Sequence, residues 1–156
     1  MSRPAGTAAA SAAVIAAALM LTGCGGSDGA ASAGPELKVS GAYMPAPATA
    51  DMAAGFFTVG NSGGADTLTS VTSDLSDDVT LHATEGGAMR ERKSFAVPAH
   101  GDLDFTSGGN HVMFEKLTHK PAQGEKVAIE LHFAKSGTVK VSMPVKSATY
   151  NPDTGH

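Results

Sequence analysis

The chain has no tryptophan, a single cysteine and only 5% aromatic residues among its 156 positions. One cysteine excludes an internal disulfide framework, a four-cysteine zinc site and a CxxC redox pair. Basic clustering is missing as well. Eleven Lys and Arg stand against 15 Asp and Glu, a net charge of −4, and no stretch gathers cations as a phosphate-binding face would require, so no nucleic-acid partner is expected. The common catalytic signatures are absent, with no GxSxG elbow, HExxH, GxGxxG or P-loop. The acidic pairs Asp77-Asp78 and Asp102/Asp104 fall in turn or edge contexts and read as solvated. The expectation is that the chain is not an enzyme. Helical patterning is lacking too, since beyond Cys24 no window of twelve or more residues keeps a clean 3.6 period. What is plentiful is turn chemistry: 19 glycines and eight prolines, which suit short strands joined by turns.

The first 24 residues are of a different kind. Arg3 supplies a short positive region, Ala8 to Leu21 is apolar and rich in small residues, and the segment ends Leu21-Thr22-Gly23-Cys24. The apolar run is shorter than the roughly 20 residues of a spanning helix, and its flanks suit a signal peptide. The ending resembles a bacterial lipoprotein signal, which implies a signal peptide over 1–23 and a lipid on Cys24. An ordinary signal peptide or anchor helix with an incidental cysteine is the alternative. With a lipid anchor, Cys24 is spent, and the mature domain is extracytoplasmic and tethered to the bacterial cell membrane. Loss of Arg3 leaves 10 basic and 15 acidic residues, a balance of −5. Residues 24–35, including Gly25-Gly26-Ser27-Asp28-Gly29, read as a flexible Gly/Ser-type tether.

From Glu36 the pattern changes to short alternating segments broken by turns. Strands are expected at Leu37–Tyr43, Gly55–Gly60, Thr67–Thr72, Val79–Ala83, Ala88–Arg92, Asp102–Phe105, His111–Leu117, Lys126–Phe133 and Thr138–Val145. Val127, Ile129, Leu131 and Phe133 alternate with Ala128, Glu130 and His132, as a half-buried strand requires. About 110 residues in this many strands is the size of a β-sandwich, spanning 36–147 and followed by a polar, frayed tail over 148–156.

Histidine and methionine at strand spacing carry the chemical information. In Asn110-His111-Val112-Met113-Phe114 the period of two puts His111 and Met113 on one face and Val112 and Phe114 on the other. If Val112 and Phe114 face the core, an imidazole and a thioether stand side by side outside it. His82 closes the run Val79-Thr80-Leu81-His82, and Met89 follows across the Glu85-Gly86-Gly87 turn, so a hairpin would bring the two together. Imidazole with thioether, and no thiolate or obligatory carboxylate, suits a soft ion such as Cu(I). On spacing alone, a core methionine beside a surface histidine is the favoured reading. His100, His119 and His132 read as solvated, and Met143 as core. Met44 and Met52 flank Pro45 and Pro47 in a loop, as an apolar rim or an auxiliary site.

At these residues the stretch from Ser40 to Val145 resembles the periplasmic copper(I) chaperone family PCuAC, whose motif is His-x10-Met-x21-His-x-Met. Met89 and His111 are separated by 21 residues, and His111-Val112-Met113 supplies His-x-Met. Val97-Pro98-Ala99, Gly108-Gly109-Asn110 and Val139-Lys140-Val141-Ser142-Met143-Pro144-Val145 resemble the family's surrounding phrases. The resemblance implies an all-β, cupredoxin-like Greek-key β-sandwich that holds Cu(I) with His82, Met89, His111 and Met113. One departure stands: six residues, not ten, separate His82 from Met89. Either the hairpin is shortened, or Glu91 takes the second ligand position. The implied role is a membrane-tethered metallochaperone, expected to be a monomer. Its implied acceptor is the CuA subunit of cytochrome c oxidase or a Sco-type copper protein. A copper scavenging or storage lipoprotein and a metal-free Ig-like interaction module are the alternatives.

Overall fold

The computed structural model describes residues 33–155. The signal segment 1–23, the lipidation residue Cys24 and most of the 24–35 tether lie outside the described residues, as does His156. Ten strands follow in chain order: β1 Leu37–Pro45, β2 Met52–Asn61, β3 Asp66–Ser73, β4 Asp78–Glu85, β5 Ala88–Arg92, β6 Phe95–Val97, β7 Gly101–Phe105, β8 His111–Glu115, β9 Lys126–Phe133 and β10 Gly137–Lys146. The expected all-β class holds, with no helix among the described residues.

The strands pair in the order β5-β4-β8-β2-β1-β10-β9-β3-β6, with β7 also on β2. Strand β2 is long enough to take two partners in succession. Met52–Gly55 face Glu115–Val112 of β8, and Phe57–Asn61 face Phe105–Gly101 of β7. Strand β1 runs antiparallel to β2 until its register shifts between Ser40 and Tyr43, where Gly41 adopts φ 61°. That bulge re-aims the strand, so Met44 and Pro45 pair parallel with Val145 and Lys146 of β10 and join the β2 side of the sheet to its β10 side.

Alternation builds the core on the inner face of the sheet. Val127, Ile129, Leu131 and Phe133 are buried from β9, Met143 and Val145 from β10, and Val112 and Phe114 from β8. Phe57 and Phe105 stack with centroids 4.6 Å apart. Gly55 is where β2 needs a missing side chain, because a Cβ there would lie 2.9 Å from Met143 Sδ and 3.0 Å from the Phe114 ring.

Among the described residues one carboxylate is buried. Asp66 accepts hydrogen bonds from the amides of Thr67 (2.7 Å), Lys135 (2.9 Å) and Ser136 (2.9 Å) and from the Ser136 hydroxyl (2.6 Å). Burial works against the ionised form, but the Ser136 hydroxyl and the three amides outweigh it and hold the carboxyl below its ordinary value. Asp66 thereby ties the β9–β10 turn to the start of β3.

Three differences from the sequence reading have local causes. Strand β6 was not expected, because three residues are too few to show a period of two; it forms by pairing Phe95–Val97 with Leu68–Asp66. Strand β2 starts three residues before Gly55, at Met52-Ala53-Ala54, since alanine carries little strand signal. The tail is not frayed through residue 155. Tyr150 packs edge-on against Tyr43 at 5.0 Å, the Lys146 ammonium lies 5.3 Å from its ring centre, and Asn151 closes a turn by accepting from the Gly155 amide.

Candidate metal centre

Strand β4 lies between β5 and β8, and its register assembles the site. His82 stands opposite His111 of β8 and opposite Glu91 of β5; Thr80 faces Met113, and Thr84 faces Met89. Directly opposed residues share a sheet face, and alternate residues along a strand do too. His82, His111, Met113, Met89 and Glu91 therefore all belong to the outer face, while Leu81, Ala83, Val112 and Phe114 are buried on the inner one.

The hairpin fixes this register. Gly86 and Gly87, the two central residues of the β4–β5 turn, have φ 58° and 80°. Two successive positive φ values are the mark of a two-residue type I′ turn, which glycine adopts without steric cost. With so short a turn, the residue directly across from His82 is Glu91, and Met89 sits one step nearer the hairpin tip, diagonal to His82.

The two imidazoles stack, with centroids 5.3 Å apart and planes 26° from parallel. His111 was expected to face solvent beside Met113. It does leave the core face, yet it is only 6% exposed, because the His82 ring stacks against it from the neighbouring strand. Each ring has one nitrogen occupied and one orphaned. His111 Nδ1 lies 3.1 Å from the Gly109 carbonyl. A carbonyl only accepts, so Nδ1 carries the proton and Nε2 keeps its lone pair. His82 Nε2 lies 2.9 Å from the Thr80 hydroxyl. The remaining atoms, His82 Nδ1 and His111 Nε2, are buried without a hydrogen-bond partner. An unmade bond at a buried polar atom costs about 1–3 kcal/mol, and a metal ion would satisfy the lone pair of His111 Nε2, and that of His82 Nδ1 when the proton of that ring sits on Nε2 and is donated to Thr80. Gly109 fixes the tautomer of His111 and Thr80 orients the ring of His82, partners of the kind that accompany metal-binding imidazoles.

Of the thioethers, Met113 is half-buried next to His111, whereas Met89 is 63% exposed. Among the described residues no three His, Cys, Asp or Glu side chains are grouped to hold a metal; the further donors on the face of the rings are the Met113 and Met89 thioethers and the Glu91 carboxylate. Met113 also lines a small apolar cavity of about 220 Å³ with Pro45, Ala46, Pro47, Met52, Ala53 and Ala54. Met44 does not share that loop. It is fully buried in β1, and only Met52 stands at the rim.

Among the described residues the other histidines, His100, His119 and His132, sit apart. His132 is held between the hydroxyls of Thr72 and Thr138 at 2.8 and 3.1 Å. His119 pairs with Glu125 at 2.6 Å, and its hydrogen bond holds that carboxyl below its ordinary value. His100 occupies an exposed turn at φ 51°. Asp78 and Asp104 are surface groups bound to Lys116 (2.8 Å) and Thr58 (2.7 Å). Sequence reasoning missed Thr80 and Gly109, whose roles appear only once the rings are placed.

The fold is that of solved PCuAC domains. The apo PCuAC domain of PmoF2 matches with a TM-score of 0.65 at 21% identity, covering 76% of this chain and 95% of that one. The copper-bound PCuAC domain from PmoF2 gives 0.65 at 22%, covering 74% and 96%. The solution structure of CuI-DR1885 from Deinococcus radiodurans gives 0.63 at 26%, covering 78% and 85%. The class is thus the cupredoxin-like, all-β PCuAC type. Within it, the family model described as "Putative lipoprotein LpqE-like" matches residues 37–145, and the chain belongs to that LpqE-like family. No curated protein matches it.

Proposed function

We propose that the protein is an extracytoplasmic Cu(I) carrier, held to the membrane by a lipid on Cys24, that passes copper to the CuA subunit of cytochrome c oxidase or to a Sco-type protein. The observation that carries the reading is the pair of stacked rings with two buried, unpartnered nitrogens, His82 Nδ1 and His111 Nε2, beside the Met113 thioether. Met89 completes a set of two imidazoles and two thioethers. Such neutral, soft donors select Cu(I) over hard cations and over zinc, which favours thiolate and carboxylate. The copper-bound PmoF2 domain and CuI-DR1885 among the structural neighbours support the same choice of ion. A lipid anchor would confine the search for a membrane-bound acceptor and raise its effective concentration.

A competitive Cu(I) titration of the protein, wild type against Met89→Ala and Met113→Ala, tests the ligand set. One tight equivalent, weakened in both variants, is the expected result; no tight equivalent in the wild type leaves the interaction-module reading. The register supports a second arrangement, with Glu91 directly across from His82 replacing Met89. Under it Glu91→Gln weakens binding and Met89→Ala does not. Transfer of copper to an apo CuA domain separates delivery from storage, since a storage protein keeps its ion for hours against a stronger acceptor.

A further inference from the structure

Two large apolar side chains stand exposed among the described residues, and both are methionines: Met52 at 52% and Met89 at 63%. Both lie on the face that carries the rings. Met52 opens β2 opposite Glu115, and Ala54, two residues on, stands opposite Met113. Met52 is therefore the diagonal neighbour of Met113, at a separation of about 7–8 Å that long side chains bridge. The two thioethers line one cavity, walled by Pro45, Ala46 and Pro47. Met52 is too far from the rings to join their ion directly. It is four residues along β2 from Phe56, the position level with His111 (Gly55 pairs with Val112), or about 13 Å at strand rise. Met113 stands between, two residues from His111 and diagonal to Met52.

The geometry points to Met52 as an exit ligand: we propose that Cu(I) leaves the stacked histidines by passing from the ring nitrogens to a Met113–Met52 thioether pair at the apolar mouth. The inference rests on the Cu(I) reading above and adds a direction to it. In the step the two copper–imidazole bonds and the copper–sulfur bond to Met89 break, a copper–sulfur bond to Met52 forms, and the bond to Met113 persists. Copper remains Cu(I) throughout, so no electron is transferred and no oxidant is needed. A softer, weaker pair outside a stronger resting set lets the ion move without being released free, and flexible thioethers follow it at little cost.

The test uses the full-length protein in detergent, anaerobically, with Cu(I) and with Ag(I) as a redox-inert probe. In protein labelled at the methionine methyls, the Met113 signal should shift with the first equivalent of Ag(I), and the Met52 signal should broaden or shift with it. Met52→Leu keeps the apolar volume and removes the sulfur. It should leave Cu(I) affinity unchanged within about twofold while slowing removal by the chelator bicinchoninate about tenfold, a barrier change of about 1.4 kcal/mol. A Met52 methyl that stays still while Met113 moves, or an unchanged removal rate in Met52→Leu, overturns the exit role and leaves the cavity as apolar docking surface; the copper reading survives. If neither Met113 nor Met89 responds and no tight equivalent binds, the copper reading and the exit role fall together.

Discussion

His111→Leu separates the cost of the orphaned nitrogen from its use. In the copper-free protein the substitution removes the buried, unpartnered Nε2, which costs about 1–3 kcal/mol, and forfeits the Nδ1 bond to Gly109, worth about 1 kcal/mol. The Gly109 carbonyl is not stranded, because the Thr84 hydroxyl still donates to it at 3.1 Å. Leucine fills most of the ring's volume on a strand where His111 is almost fully buried. The net expectation is a gain of about 1 kcal/mol, which raises the melting temperature of a domain this size by about 4 °C. Copper should reverse the ranking. An ion at a thousandfold over its dissociation constant adds about 4 kcal/mol to a protein that binds it, and the variant, lacking one imidazole, gains far less. Melting curves of both proteins, with and without Cu(I), should therefore cross. If copper-free His111→Leu melts several degrees below wild type, Nε2 was already satisfied, and the argument for a waiting metal site loses its basis.

Asp66→Asn should destabilise the fold by about 3 kcal/mol at pH 7, through loss of charge-assisted hydrogen bonds to Ser136, Lys135 and Thr67. Because the folded-state pKa is lowered, this stabilisation is complete above the unfolded value of about 3.9 and fades as pH falls through the folded one. Denaturant midpoints of wild type and Asp66→Asn should thus converge below about pH 4; a gap unchanged at pH 3 would contradict the ionic account. Tyr150→Ala removes the contact on Tyr43, and limited proteolysis should then cut within residues 148–155 sooner while Cu(I) affinity stays the same. Gly55→Ala forces a Cβ against Met143 and Phe114 and should cost about 1–3 kcal/mol, read as a lower urea midpoint with an unchanged slope.

Much of the fold was legible wherever a period of two ran long enough to show. The buried and open positions of β9 fall on the residues that alternation named, and His111-Val112-Met113-Phe114 divides between faces as expected. The misses have physical causes. Strand β6 exists only by virtue of its partner β3, and the alanines opening β2 hid Met52, which read as part of a loop with Met44. That the His82 and His111 positions oppose each other depends on β4–β8 pairing, a contact across some 30 residues that local pattern does not specify. The shortened interval between His82 and Met89 left two arrangements open, and the register places Glu91 level with His82 and Met89 diagonal to it, nearer the tip.

Strand β5 has a consequence for the company the molecule keeps. It terminates the strand order, pairs only with β4 and is exposed at every residue, so one row of its amides and carbonyls is open to any extended chain that drifts past. A site that must give up its cargo needs an unobstructed approach, and an unobstructed sheet edge invites polymerisation. The sequence on this edge, Arg90-Glu91-Arg92-Lys93, answers that conflict with charge, part of it tethered to Glu85 at 3.3 and 3.9 Å. A second copy adding itself in parallel register would set like charges side by side, whereas a partner of different sequence meets no such penalty. The edge beside Met89 can stay uncovered without becoming a seed for fibres.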